Sequence, residues 1–102
     1  MKGKWPLPAG VAAALQKVGR DIRDARRRRR LTMALVAERA MVSSATLSRI
    51  EHGDAGVGIG AYAGVLHALG MLSLLRDCVD LGRDEVGQAL DVERLPMRVR
   101  MK

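Results

Sequence analysis

The sequence predicts an all-α domain built from short helices. Three observations predict it. Apolar residues recur at helical spacing, as with Val11, Leu15, Val18, Ile22 and Ala25, which stand four, three, four and three apart. Two hydroxyl residues, Thr32 and Ser43, hold helix-starting positions and are each bracketed by apolar side chains. The chain has no Phe, and its only aromatics are Trp5 and Tyr62, so Ala, Val, Leu, Ile and Met must form the core. Such small aliphatic side chains suit closely packed short helices. A chain of 102 residues holds one domain with one modest core.

The opening Lys4-Trp5-Pro6-Leu7-Pro8 reads as an extended arm, because each proline restricts itself and its predecessor. A first helix starts near Ala9 or Gly10 and ends in the run Arg26 to Arg30. Cations there interact favourably with the negative end of the helix dipole. Thr32 caps a second helix, Met33 to Ala40, with Leu31 and Val36 as its hydrophobic staple. Ser43 caps a third, Ser44 to about His52, with Val42 and Leu47 in the same roles. Gly53 can take the left-handed conformation that closes it. Only Met41, Val42 and Ser43 separate these two helices, which is a helix-turn-helix connection.

Asp54 to Gly58 is a loop. A fourth helix spans about Ile59 to Leu69 and places Ile59, Tyr62, Leu66 and Leu69 on one side. Gly70 ends it. A fifth fits Leu72 to about Val79. Asp84 to Glu93 fits a sixth helix, aligning Val86 and Leu90, and fits a strand equally well. Pro96 stops either, and Met97 to Lys102 is a basic tail. The domain plan is therefore an arm over 1–10, the helical domain over 11–80, and an extension with the tail over 81–102.

Charge divides the chain. Through Arg49 there are twelve basic residues and three acids, whereas Ile50 to Glu93 holds two basic residues and eight acids. A basic first half suggests a surface for a polyanion, and the acidic half suggests a separate surface. No apolar run reaches the roughly 20 residues that cross a bilayer, and the Val11 to Leu15 stretch is too short for a signal peptide. A cytoplasmic location is expected. The lone Cys78 forms no internal disulfide. No cofactor or metal is expected: His52 and His67 lack partners at ligand spacing. Gly56-x-Gly58-x-Gly60 lacks the Lys-Ser/Thr of a phosphate-binding loop. No serine has a base beside it, so an enzyme is not expected.

The segment TMALVAERAMVSSATLSRIEHG, Thr32 to Gly53, resembles the Cro/CI (Xre)-type helix-turn-helix regulators. The resemblance runs back through Gly19 to Arg26 and forward to Leu69-Gly70, about half the chain. It implies a lambda-repressor-like, five-helix DNA-binding domain, here with a C-terminal extension of open structure. It also implies that the third helix enters the major groove, with Ser44, Ala45, Thr46 and Arg49 at base-reading positions. Arg49 then suits guanine, and Ala45 or the Thr46 methyl suits thymine. Its alternative reading is an exposed helix-terminal cation. Ser43, Ser48, Arg28, Arg30, Arg39, His52 and the amides at Met33 are the phosphate-contact candidates. Consecutive arginines point in different directions, so not all of the run can face DNA. Arg26 and Glu51 match the family's buried ion pair. Leu47 and Ile50 would bury, and Ala37 must be small where the next helix crosses.

Three positions depart from the family pattern. Met33 replaces a usual Gln, and Met41 and Arg30 replace glycines at sites where positive φ is expected. A narrower resemblance links Gly53 to Val57 and Glu93 to Arg100 with HipB-type antitoxins, which implies a HipA-like kinase toxin as partner. A single helix-turn-helix reads too few base pairs for genomic specificity, so a homodimeric repressor on a palindromic operator is expected. The rival is a protein-binding module in which the helix-turn-helix is scaffold alone, and the outward face of Ser44 to Arg49 distinguishes the two.

Overall fold

The computed structural model describes residues 6–94, with side chains through Glu93. The helices are α1 (Ala9–Arg28), α2 (Met33–Ala40), α3 (Ser44–Glu51), α4 (Ile59–Ala68), α5 (Leu72–Arg76) and α6 (Glu85–Arg94), with a 3-10 turn over Leu81–Arg83. No strand occurs among the described residues, so the alternative strand near Ala89 to Val92 is overturned in favour of α6. Lys2, Lys4 and Trp5 of the arm, and Leu95 to Lys102 of the tail, lie outside the described residues. No helix among the described residues is long and apolar enough to cross a membrane.

The helix starts have local causes. The Pro8 carbonyl accepts from the amides of Val11 and Ala12, which opens α1 without a side-chain cap. The Thr32 hydroxyl accepts from the Leu35 amide at 3.1 Å, and the Ser43 hydroxyl from the Thr46 amide at 3.0 Å. Each satisfies one of the amides that a helix start leaves without a partner. Two turns use left-handed backbone at non-glycine residues, Arg30 (φ 56°) and Met41 (φ 61°). At Met41 this closes α2 and lets the chain turn straight into α3.

The core consists of Ile22, Ala25, Val36, Ala37, Leu47, Ile50, Val65 and Leu69. It joins α1 through α4, and Leu31, Val42 and Tyr62 pack at its edge. Two apolar faces prove only partly buried, and the expected end of one helix needs correction. The first half of the α1 stripe is not core: Val11 is 44% exposed and Val18 41%. An α1 of 20 residues is about 30 Å long, and the eight-residue α3 spans only about 12 Å, so α3 leaves the first turns without cover. Leu15 and Val18 instead border an apolar hollow of about 270 Å³ shared with Val57, Ile59, Tyr62 and Leu66.

The buried side of α4 is rotated toward Val65, which is fully buried, whereas Ile59 is 73% exposed. The rotation follows from Gly64: a Cβ there would stand 3.0 Å from the Ala40 carbonyl oxygen, so this side of α4 presses on α2. Finally, α5 stops at Arg76. Beyond it the chain makes single turns, such as Cys78 N–H to the Leu75 carbonyl at 3.2 Å. Leu72, Leu74 and Val79 are exposed, so no packing supports a longer helix.

One approach positions everything else. A Cβ on Gly19 would lie 2.6 Å from the Ile50 carbonyl oxygen and 2.7 Å from that of Glu51. A Cβ on Gly53 (φ +73°) would lie 2.5 Å from the Leu15 carbonyl oxygen. The backbones of α1 and the end of α3 therefore meet directly, as only glycine permits.

Two stability changes follow, both readable by urea denaturation. Gly19→Ala should destabilise by about 2 kcal/mol or more, since the intruding methyl meets backbone that cannot yield. Met41→Gly should stabilise by about 0.5–1 kcal/mol, because the relieved left-handed strain exceeds the extra unfolded-state entropy of glycine.

Candidate nucleic-acid interface

Helix α3 is held from behind and open in front. Leu47 and Ile50 are fully buried, and Glu51 is 6% exposed. Arg26 reaches Glu51 with a two-pronged contact, Nε to Oε2 at 2.7 Å and Nη2 to Oε1 at 3.2 Å. Its Nη1 also donates to the Leu31 carbonyl at 3.1 Å. One guanidinium thus ties α1 both to α3 and to the turn before α2. The planar fork fixes rotation as well as distance.

The front presents Ser44, Ala45 and Arg49, all exposed, with Thr46 and Ser48 half-buried. Small side chains at the entering end leave the helix slim enough for a major groove. The Ser43 hydroxyl is occupied locally: besides capping α3, it donates to Thr46 Oγ1 at 3.0 Å. His52 Nδ1 lies 2.7 Å from the Ser48 carbonyl oxygen. A carbonyl can only accept, so this nitrogen carries the proton. His52 also borders a shallow cleft with Gln16, Arg20 and Arg23 on the α1 side of the helix.

The arginines separate. Arg49 Nε donates to Asp54 Oδ2 at 3.0 Å, with the two side chains 49% and 28% exposed. Arg28 lines a depression with Asp21, Asp24, Arg29 and Met71, so two acids share its field. It lies about 200° around α1 from Arg26. Arg30 is exposed in the turn leading to α2, and Arg39 is exposed in the last turn of that helix. Met33 packs its side chain against the core, so any phosphate contact at this position must come from the backbone. The first amides of α2 have no partner within the helix.

Reasoning from sequence missed the loop that flanks Arg49. Asp54 Oδ1 accepts from the Gly56 amide at 2.7 Å, and its carbonyl accepts from the Tyr62 hydroxyl at 2.9 Å. Burial raises the Tyr62 pKa, the Asp54 carboxylate raises it further, and Arg49 opposes in part. The phenol therefore stays a neutral donor. The available signal was an acid placed one residue past the glycine that closes α3.

A short helix clamped at its base, with small residues and one arginine outward, defines a DNA-binding protein of the helix-turn-helix class. Residues 17–77 match the family described as helix-turn-helix domain, and the chain belongs to it. The match starts inside α1 and ends just past α5, which leaves α6 outside it. Neither a curated protein nor a solved structure matches the chain.

The clamp makes a stability prediction. Glu51→Ala should cost about 3–5 kcal/mol, because it strands a buried guanidinium. Replacing both partners, Arg26→Met with Glu51→Leu, should cost clearly less in the same denaturation experiment.

Proposed function

We propose that the chain is a sequence-specific transcriptional repressor that reads double-stranded DNA as a homodimer. The observation that carries this reading is the asymmetry of α3: Leu47 and Ile50 are wholly buried, while Ser44, Ala45 and Arg49 are exposed. The small outward side chains let the helix approach a groove floor closely, which a helix used only as scaffold does not require. In this reading Arg49 contacts a base pair, Ala45 and Thr46 line the groove floor, and the turn before α2 meets phosphate.

The second half supplies a surface for dimerisation. Leu74 is 61% exposed, Val79 80%, Leu81 74% and Val86 72%. Apolar side chains this open in one stretch indicate a surface covered in an assembly. Two copies would set their recognition helices about 34 Å apart, on half-sites one helical turn apart. A HipA-like toxin is the other occupant to consider for this surface. It is favoured by the acids Glu85, Asp91 and Glu93 exposed on α6.

Selection of duplexes from a random pool should enrich a palindrome. Arg49→Ala should cost about 1–3 kcal/mol on the enriched duplex and relax the preference at one base pair of each half-site. Unchanged preference would favour the scaffold reading. Arg30→Asn keeps a residue that tolerates positive φ. It should weaken all duplexes alike and lower the salt slope by about one. Sedimentation should show a dimer, and a monomer would give the α5–α6 surface to another protein.

A further inference from the structure

We infer that Asp54 is a positioning residue for base recognition, which holds the Arg49 guanidinium in the single orientation that discriminates. The inference rests on the reading of Arg49 as a base-contacting residue. An arginine has five N–H donors and a long stem with many rotamers. Here Nε is taken by Asp54 Oδ2 at 3.0 Å, which leaves the two terminal nitrogens as the free fork. That end-on fork can still make the bidentate contact to the O6 and N7 acceptors of guanine.

Asp54 can aim Arg49 because it is itself held at several points. Its Oδ1 accepts from the Gly56 amide at 2.7 Å, its carbonyl from the Tyr62 hydroxyl at 2.9 Å, and its own amide donates to the Arg49 carbonyl at 3.0 Å. Tyr62 belongs to α4 and packs against the core. The line from core to Tyr62 to Asp54 to Arg49 fixes the guanidinium before any DNA arrives. Gly56 keeps that corner open: a Cβ there would lie 3.1 Å from Asp54 Oδ1 and 3.9 Å from Arg49 Nη2. An acid beside a polyanion would otherwise be unfavourable, since it repels phosphate regardless of sequence. Its presence therefore trades general affinity for discrimination.

That trade gives the test. The probe is the duplex enriched from a random pool by the unaltered chain, with variants at the base pair whose preference Arg49→Ala relaxes. Binding is read by fluorescence anisotropy, and folding by thermal melting. Asp54→Ala should lower the preference at that base pair about fivefold to tenfold, as restored rotamer freedom implies. Its binding to unrelated duplexes should be equal or tighter. Asp54→Asn keeps an acceptor and should lose less. Glu38→Gln, an exposed acid on α2, should tighten unrelated binding without touching the preference. In the Arg49→Ala background, Asp54→Ala should change the preference no further.

Equal weakening on every duplex with a lowered melting temperature would overturn the inference, since Asp54 would then only shape the loop. So would an unchanged preference, or additive effects in the double variant. If Arg49→Ala itself relaxes no base pair, the reading of Arg49 fails, and that result is distinct from the others.

Discussion

The approach of α1 to the C-terminal end of α3 is the constraint on which the rest depends. Gly19 sits beneath the carbonyls of Ile50 and Glu51, and Gly53 lies against the Leu15 carbonyl. Seven residues after Gly19, two helical turns along the same stripe, Arg26 reaches Glu51. Ile22, between them, is buried against the core. A stripe of no side chain, an aliphatic side chain and a guanidinium therefore sets distance, grip and rotation in turn. The buried pair need not add net stability, since desolvating two charges offsets most of their attraction. Its contribution is orientation, because a two-pronged contact with a third bond to the Leu31 carbonyl admits one arrangement.

With α3 seated, the other helices have few choices. Ala37 is buried where α2 meets its neighbours, and Gly64 brings α4 close to the Ala40 carbonyl. The turns at Arg30 and Met41 bear left-handed backbone without glycine. That strain is tolerated because the clamp and the core fix both ends of each turn. At Arg30 the cost has a compensation in charge, since the cation lies just past the negative, C-terminal end of α1. Met41 is 91% exposed and makes no comparable return.

The chain separates its charge along its length. The basic half contains the clamped α3. The acidic half ends in α5 and α6, where the large apolar side chains stay open. A polyanion drawn to the first half is repelled by the second. Just past the boundary between the halves, the loop acid Asp54 faces back toward Arg49.

Much of this was determined by the sequence alone. Helix starts were legible because Thr32 and Ser43 cap through their own side chains to amides three residues away. The helix-turn-helix was legible for the same reason: its caps, staples and turn all act within a few residues. The bounds of α2 and α3 follow from those local bonds. Tertiary structure alone decided the rest. It turned α4 toward Val65, left Val11 and Val18 uncovered and ended α5 at Arg76. In each case periodicity marks an apolar face but not the length or position of whatever lies opposite. The Arg49–Asp54 contact and the backbone approach at Gly19 were hidden for a related reason. They depend on where one element's backbone falls against another's, and that distance is set only when the whole core has closed.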